Sequence, residues 1–162
     1  MKGENSKSDQ AMASSSNQRR IGITGGIASG KSSISRYLEE VKKLPILDAD
    51  TYAKELLAPE TIFTDAVIKR YGNEIINSRD SKKTSINRII LRKIIFNSKA
   101  EREWLGELLH PSIIQKIKSD IKKLKNEPIL ILVIPLLFEL KLNNMCSEIW
   151  VVSCTYAQQI ER

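Results

Sequence analysis

Two cysteines, Cys146 and Cys154, and a single histidine, His110, occur in 162 residues. So few thiols and imidazoles cannot assemble a Cys/His zinc cluster, and neither cysteine has a metal-ligand spacing. The thiols read as incidental, in a reduced, cytosolic setting. Long hydrophobic runs are also missing: "ILILVIPLLF", Ile129 to Phe138, falls short of the about 20 residues that cross a bilayer, so no membrane partner is expected. The opening "MKGENSKSDQAMASSSNQ" contains no apolar block like that of a secretory signal, and residues 1–18 are expected to form a disordered polar tail. There is no internal repeat, and no guanine-reading "NKxD" motif. The apolar strand ending in "VIP" has no acid at its tip.

What remains is ordinary globular composition, 41% hydrophobic and 28% charged, at a length suited to one core. The formal charge is +7 and the pI about 9.4. Nucleic acid, membrane surface and nucleotide phosphate all fit that balance, so charge alone selects none of them.

Against that background "GITGGIASGKSS", Gly22 to Ser33, stands out for four glycines in one stretch. "RIGIT" before it reads as a strand; Ile34, Tyr37, Leu38 and Val41 after it recur at helical spacing. Gly25 to Ser32 matches G-x-x-x-x-G-K-[ST], the phosphate loop of nucleotide-binding proteins. Glycines let successive amides turn inward on phosphate oxygens, aided by the positive end of the following helix. Lys31 is expected to reach the β- and γ-phosphates, and the Ser32 hydroxyl to ligate Mg²⁺.

"KLPILDAD" gives a second strand ending in Asp48 and Asp50. On an extended backbone these carboxylates share one side, a costly arrangement unless a proton or cation intervenes. Beside a metal–nucleotide, one would support the metal's water shell and the other accept a hydroxyl proton. The plainer alternative is a cap for the helix "TYAKELL"; with the glycine loop upstream, catalysis is the stronger reading.

Residues 58–126 read as helical. Ser98 with Glu101 forms a capping-box pattern, and His110-Pro111 is expected to break that helix or start another. His110 reads as a helix-boundary residue, and the lysines after Ile113 as a solvated face rather than a nucleic-acid groove. Arg88 and Arg92, four apart on one helical face, fit a solvated face or a substrate-phosphate clamp equally. Ile129 to Ile134 is continuously apolar, as a strand covered on both faces would be. "EIWVVSC" supplies another strand, and Thr155 with Gln158 a further capping box. Strands alternating with helices imply an α/β, three-layer core with a parallel sheet, its ligands at the carboxyl ends of the strands. Arg162 follows the last strand, where an arginine could touch a transferring phosphoryl.

Taken in order, "GITGGIASGKS", "ILDAD", "INRIILRKIIF", "LLHPSI" and "VIPLLFE" resemble the dephospho-coenzyme A kinase family from Ile21 to Arg162. The resemblance implies a P-loop kinase domain over residues 19–162 with a helical acceptor-binding region inserted at 58–126. It implies transfer of the ATP γ-phosphoryl to the ribose 3′-hydroxyl of dephospho-coenzyme A, the two small molecules being its partners. By the same resemblance Thr24, Gly25, Gly26, Ile27, Ala28, Ser29, Gly30, Lys31, Ser32 and Ser33 line the nucleotide phosphates. Asp50 is the general base, Arg162 contacts ATP phosphate, and Asp48, Arg88, Arg92 and His110 lie toward the acceptor. Another small-molecule kinase and an inactive ATP-binding homologue are the alternatives. Family members usually continue past Arg162 with more helix, an arginine-bearing lid and a last strand. With that C-terminal part missing, "EIWVVSC" is expected as an uncapped sheet edge and water exclusion during transfer as weakened.

Overall fold

The computed structural model describes residues 18–77 and 84–160; the expected polar tail, apart from Gln18, and Arg162 lie outside the described residues. The chain divides into two compact units, one taking the chain up to Leu47 and from Asp120 onward, the other Asp48–Ser119.

The first unit is built on β1 (Arg19–Gly25), β2 (Ile46–Asp48), β3 (Ile129–Val133) and β4 (Glu148–Val152), joined in the order β2-β3-β1-β4. β1 runs parallel to both neighbours, with Ile21 opposite Ile131 and Gly25 opposite Val152. The α/β fold with a parallel sheet is therefore as expected. The two-residue period of a strand separates the β1 side chains. Ile21 and Ile23 join Ile131, Val133 and Leu38 of α1 (Lys31–Glu40) in one buried cluster. Each such side chain contributes about 1.5–3 kcal/mol by leaving water. The opposite face of β1 leaves no room for a side chain at residue 22: a Cβ on Gly22 would lie 2.7 Å from Cys146 Sγ and 2.8 Å from a Leu137 methyl. Burial there pushes the Cys146 thiol up to about 11.

The apolar run of β3 is buried from Leu130 to Val133, as a strand flanked on both sides requires. β4 closes the order as an edge among the described residues, with Trp150 and Val151 exposed. Arg19 and Glu148 pair across β1 and β4. The buried Gln18 amide donates to Leu124 O and Glu127 O at 2.6 and 2.8 Å, tying the start of β1 to the backbone that leads into β3.

The second unit contains α2 (Ala49–Leu56), α3 (Ile62–Tyr71), α4 (Arg88–Asn97) and most of α5 (Lys99–Lys123). Each short helix starts at a side-chain cap. Asp48 Oδ1 accepts from Asp50 N, Thr61 Oγ1 from Thr64 N, and Asn87 Oδ1 from Ile89 N and Ile90 N. An isolated antiparallel bridge, Ile76 to Ile86, precedes α4.

Two expectations need correction here. α5 runs through Pro111 without a break. Proline removes the bond to the carbonyl of Glu107, and Pro111 and Glu107 both lie on the exposed side of the helix. The stripe Leu105, Leu109, Ile113, Ile117 and Ile121 stays buried on both sides of the proline. The Ser98 capping box is only half formed. Ser98 Oγ accepts from Glu101 N at 3.3 Å, but Ser98 N donates to Ile94 O at the end of α4. The Glu101 carboxylate instead accepts two bonds from Arg70, at 2.7 and 2.9 Å, and one from Tyr71 Oη at 2.5 Å. Arg70 also stacks 4.4 Å from the Trp104 ring.

Candidate phosphate-binding and catalytic site

The end of β1 turns into the loop at Gly25, whose φ of +145° suits glycine alone. A Cβ there would lie 2.2 Å from Val152 O, so loop and β4 are pressed together at a point no side chain fits. Gly30, at φ +107°, sets the direction of α1, and Ala28 takes a left-handed φ of +55°. That conformation costs a non-glycine residue about 1–2 kcal/mol. Four backbone N–H groups at the start of any helix lack intrahelical partners; α1 has no side-chain cap, and no acid in its first turn opposes an anion.

The side chains fall into place around this backbone. Lys31 Nζ donates to Gly25 O at 2.7 Å and Gly26 O at 2.6 Å, folding over its own loop. Thr24 is buried and donates its hydroxyl to Pro135 O at 2.9 Å, so it joins β1 to the turn after β3. Ser29 is 4% exposed, and its Oγ has no hydrogen-bond partner among the described residues. An orphaned buried hydroxyl costs about 1–3 kcal/mol. Ile27, Ser32 and Ser33 are exposed.

The acidic pair does not share an extended strand. Asp48 ends β2 and caps α2 through Asp50 N at 2.8 Å, while Asp50 lies exposed in the first turn of that helix. The two carboxylates thus take different geometries: one is bound to backbone, the other presented from a helix start. The capping alternative holds for Asp48.

Arg88 opens α4 and donates to Lys54 O at 3.0 Å and Leu57 O at 3.4 Å, the carbonyls that end α2. Arg92 is exposed one turn later. Near them Leu57, Pro59, Asn77, Ile86, Asn87, Arg88 and Ile89 line a cavity of about 600 Å³. His110 is not at a helix boundary but inside α5, its ring so close to Gly106 that a Cβ there would lie 2.7 Å from Cε1. Burial lowers its pKa, favouring the neutral ring.

Two contacts have no signal in the sequence. Beyond β4, Gln159 Nε2 donates to Ile27 O at 3.1 Å and Cys154 Sγ to Ala28 O at 3.7 Å. The reciprocal Thr155–Gln158 box, with bonds of 3.1 and 3.4 Å, was expected. It starts α6 (Tyr156–Ile160) beside the loop, but nothing in its pattern pointed Gln159 at a carbonyl.

A strand, a glycine loop folded on a lysine and a helix, set in a parallel sheet, define a P-loop α/β kinase core. The family model for dephospho-CoA kinase matches residues 19–162. The chain is 48% identical over 145 residues to a dephospho-CoA kinase of Prochlorococcus marinus (strain MIT 9313), covering 90% of this chain and 71% of that protein. It is 50% identical, at the same coverage, to one from Synechococcus sp. (strain CC9902). The chain belongs to the dephospho-CoA kinase family. Its fold is similar to that of TT1252 from Thermus thermophilus, with a TM-score of 0.67 and 24% identity over 89% of this chain and 70% of that one. A dephospho-CoA kinase structure from Campylobacter jejuni matches with a TM-score of 0.55 and 19% identity over 88% of this chain and 92% of that one.

Proposed function

We propose that this chain transfers the γ-phosphoryl group of ATP to the ribose 3′-hydroxyl of dephospho-coenzyme A, giving coenzyme A and ADP, in the cytoplasm. The carrying observation is the loop itself: Gly25, Ala28 and Gly30 hold backbone conformations that side chains disfavour, ahead of an uncapped helix start. Family membership names the acceptor.

Amides of Gly26 to Ser33 take the triphosphate oxygens. Lys31 exchanges its two loop carbonyls for β- and γ-phosphate oxygens, a short swing for a flexible ammonium. Asp50 accepts the 3′-hydroxyl proton as the ribose oxygen bonds to the γ-phosphorus and the bond from that phosphorus to the β–γ bridging oxygen breaks. Arg162 offsets phosphate charge; Arg88, Arg92 and His110 serve the acceptor, with Asp48 fixing the helix that presents Asp50. Catalysis of this kind rests on positioning and charge stabilisation more than on covalent steps.

Mg²⁺ fits the residues present. Among the described residues no group of three or more His, Cys, Asp or Glu is gathered for a metal, and Mg²⁺ in phosphoryl transfer is held mostly by phosphates and water. Ser32, exposed in the first turn of α1, is the hydroxyl that would complete its shell. Bound there, the ion neutralises charge on the phosphate oxygens.

No described helix is long and apolar enough to cross a membrane. The deciding experiment supplies ATP, Mg²⁺ and a panel of alcohols, and identifies the product by mass and ³¹P NMR. A 3′-phosphate formed on dephospho-coenzyme A alone is expected. Transfer to a different alcohol, or ATP binding without transfer to any, overturns the assignment.

A further inference from the structure

The contact between α6 and the phosphate loop has a consequence for how the loop binds. A peptide unit is planar and trans, so its C=O and the following N–H point in opposite directions. Holding Ile27 O outward therefore turns Ala28 N–H inward, and holding Ala28 O outward does the same for Ser29 N–H. Gln159 bonds the first carbonyl and Cys154 the second. The Ser29 N–H, so directed, makes only a long 3.4 Å bond to Gly26 O across the loop. The Gln159 amide nitrogen also lies 3.5 Å from where a Cβ on Gly26 would be.

Such an external hold matters because this loop carries Ala28, not glycine, at a left-handed φ. Without outside bonds, relaxation of Ala28 would rotate both peptide planes and turn a carbonyl toward the anion. The hold is itself fixed: the Thr155–Gln158 box sets the start of α6, and Gln159 N donates to Thr155 O at 3.1 Å.

We propose that Gln159 is a positioning residue for the nucleotide phosphates, keeping the Ala28 and Ser29 amides turned to the ligand through the carbonyl of Ile27, with the Cys154 thiol as a weaker second support. The inference rests on the loop being the ATP site. Gln159→Met keeps the length of the side chain and removes the donor. Its ATP affinity, measured by calorimetric titration, is expected to fall about fivefold, the worth of one neutral hydrogen bond. Its unliganded melting temperature and its kcat are expected to stay at the wild-type values, while KM for ATP rises. Gln159→Glu, of the same shape but repelled by Ile27 O and by phosphate, is expected to lose more affinity than the methionine variant.

Wild-type ATP affinity in Gln159→Met would overturn the inference. So would a loss of affinity matched by a lower unliganded melting temperature, which would make Gln159 a folding residue. Should the methionine variant fail to fold, Gln159→Glu and Gln159→Asn, whose amide is too short to reach Ile27 O, read the same two quantities. Wild-type protein that binds no ATP would sink the reading of the loop itself, whereas parity between variant and wild type sinks only the role of Gln159.

Discussion

The phosphate-loop unit and the helical unit spend their polar groups differently. Around the loop the side chains serve to shape the main chain. Gly25 clears a path past Val152 O, and Lys31 and Gln159 bond loop carbonyls. In the helical unit the charged side chains hold helices. Glu101 gathers Arg70 and Tyr71 from α3, Arg88 closes the carbonyl end of α2, and Asp48 caps its start. A loop defined by its backbone conformation can be read from glycine spacing. A region whose charges cap and join helices cannot be read from charge spacing alone.

The sharpest way to break this contrast is to separate the two aspartates. Asp50→Asn is expected to lower kcat by about 10²–10⁴, the usual worth of general base catalysis, at unchanged ATP affinity. Asp48→Ala is expected to lower stability by about 1 kcal/mol through loss of the cap, and Asp48→Asn, a good cap, to restore it. Equal loss of turnover in Asp50→Asn and Asp48→Asn, with both folded, would erase the division of labour. Lys31→Ala comes next, with an expected loss of about 10²–10³ in kcat, comparable to removing one charge-stabilising donor elsewhere. Steady-state kinetics with saturating acceptor measures it; near-normal turnover would remove Lys31 from the reaction.

How much of this was legible in the sequence follows the same division. The loop, β1 and β3 were visible because backbone permissiveness and continuous burial leave local marks: glycines at fixed offsets, and an unbroken apolar run. The break expected at Pro111 failed because a local rule met a stripe of five buried residues that continues across it. The capping box expected at Ser98 is only half formed because the Glu101 carboxylate finds Arg70, 31 residues away, and no short-range pattern shows that partner. The extended acidic pair became a cap and a helix residue because α2 begins at Ala49, two residues earlier than an extended reading allows. Gln159 was invisible for a related reason, since it acts on a carbonyl 132 residues away and carbonyls have no sequence signature.

The smallest effect concerns the Arg70–Tyr71–Glu101 cluster, and it sharpens the contrast by isolating a charge that serves the fold alone. Hydrogen bonds from Arg70 and then Tyr71 hold the Glu101 carboxyl down to about 2, against an ordinary 4.5. Burial, and then the same carboxylate, push the Tyr71 hydroxyl up to about 12. A carboxyl with a depressed folded pKa is protonated more readily in the unfolded chain, so its stabilisation is present above the unfolded value and lost as pH falls toward the folded one. The melting temperature is therefore expected to drop between pH 4.5 and about 2. Glu101→Gln should flatten that part of the profile while leaving ATP affinity at pH 7 untouched, because Gln keeps the shape and an acceptor but gives up the titrating charge. The exposure of the cluster keeps its contribution modest and screened by salt, so the difference between the two profiles should shrink at high ionic strength. A variant profile as steep as the wild type at low salt would show that Glu101 is not the group responsible, and a change in ATP affinity would show that the cluster reaches beyond the fold.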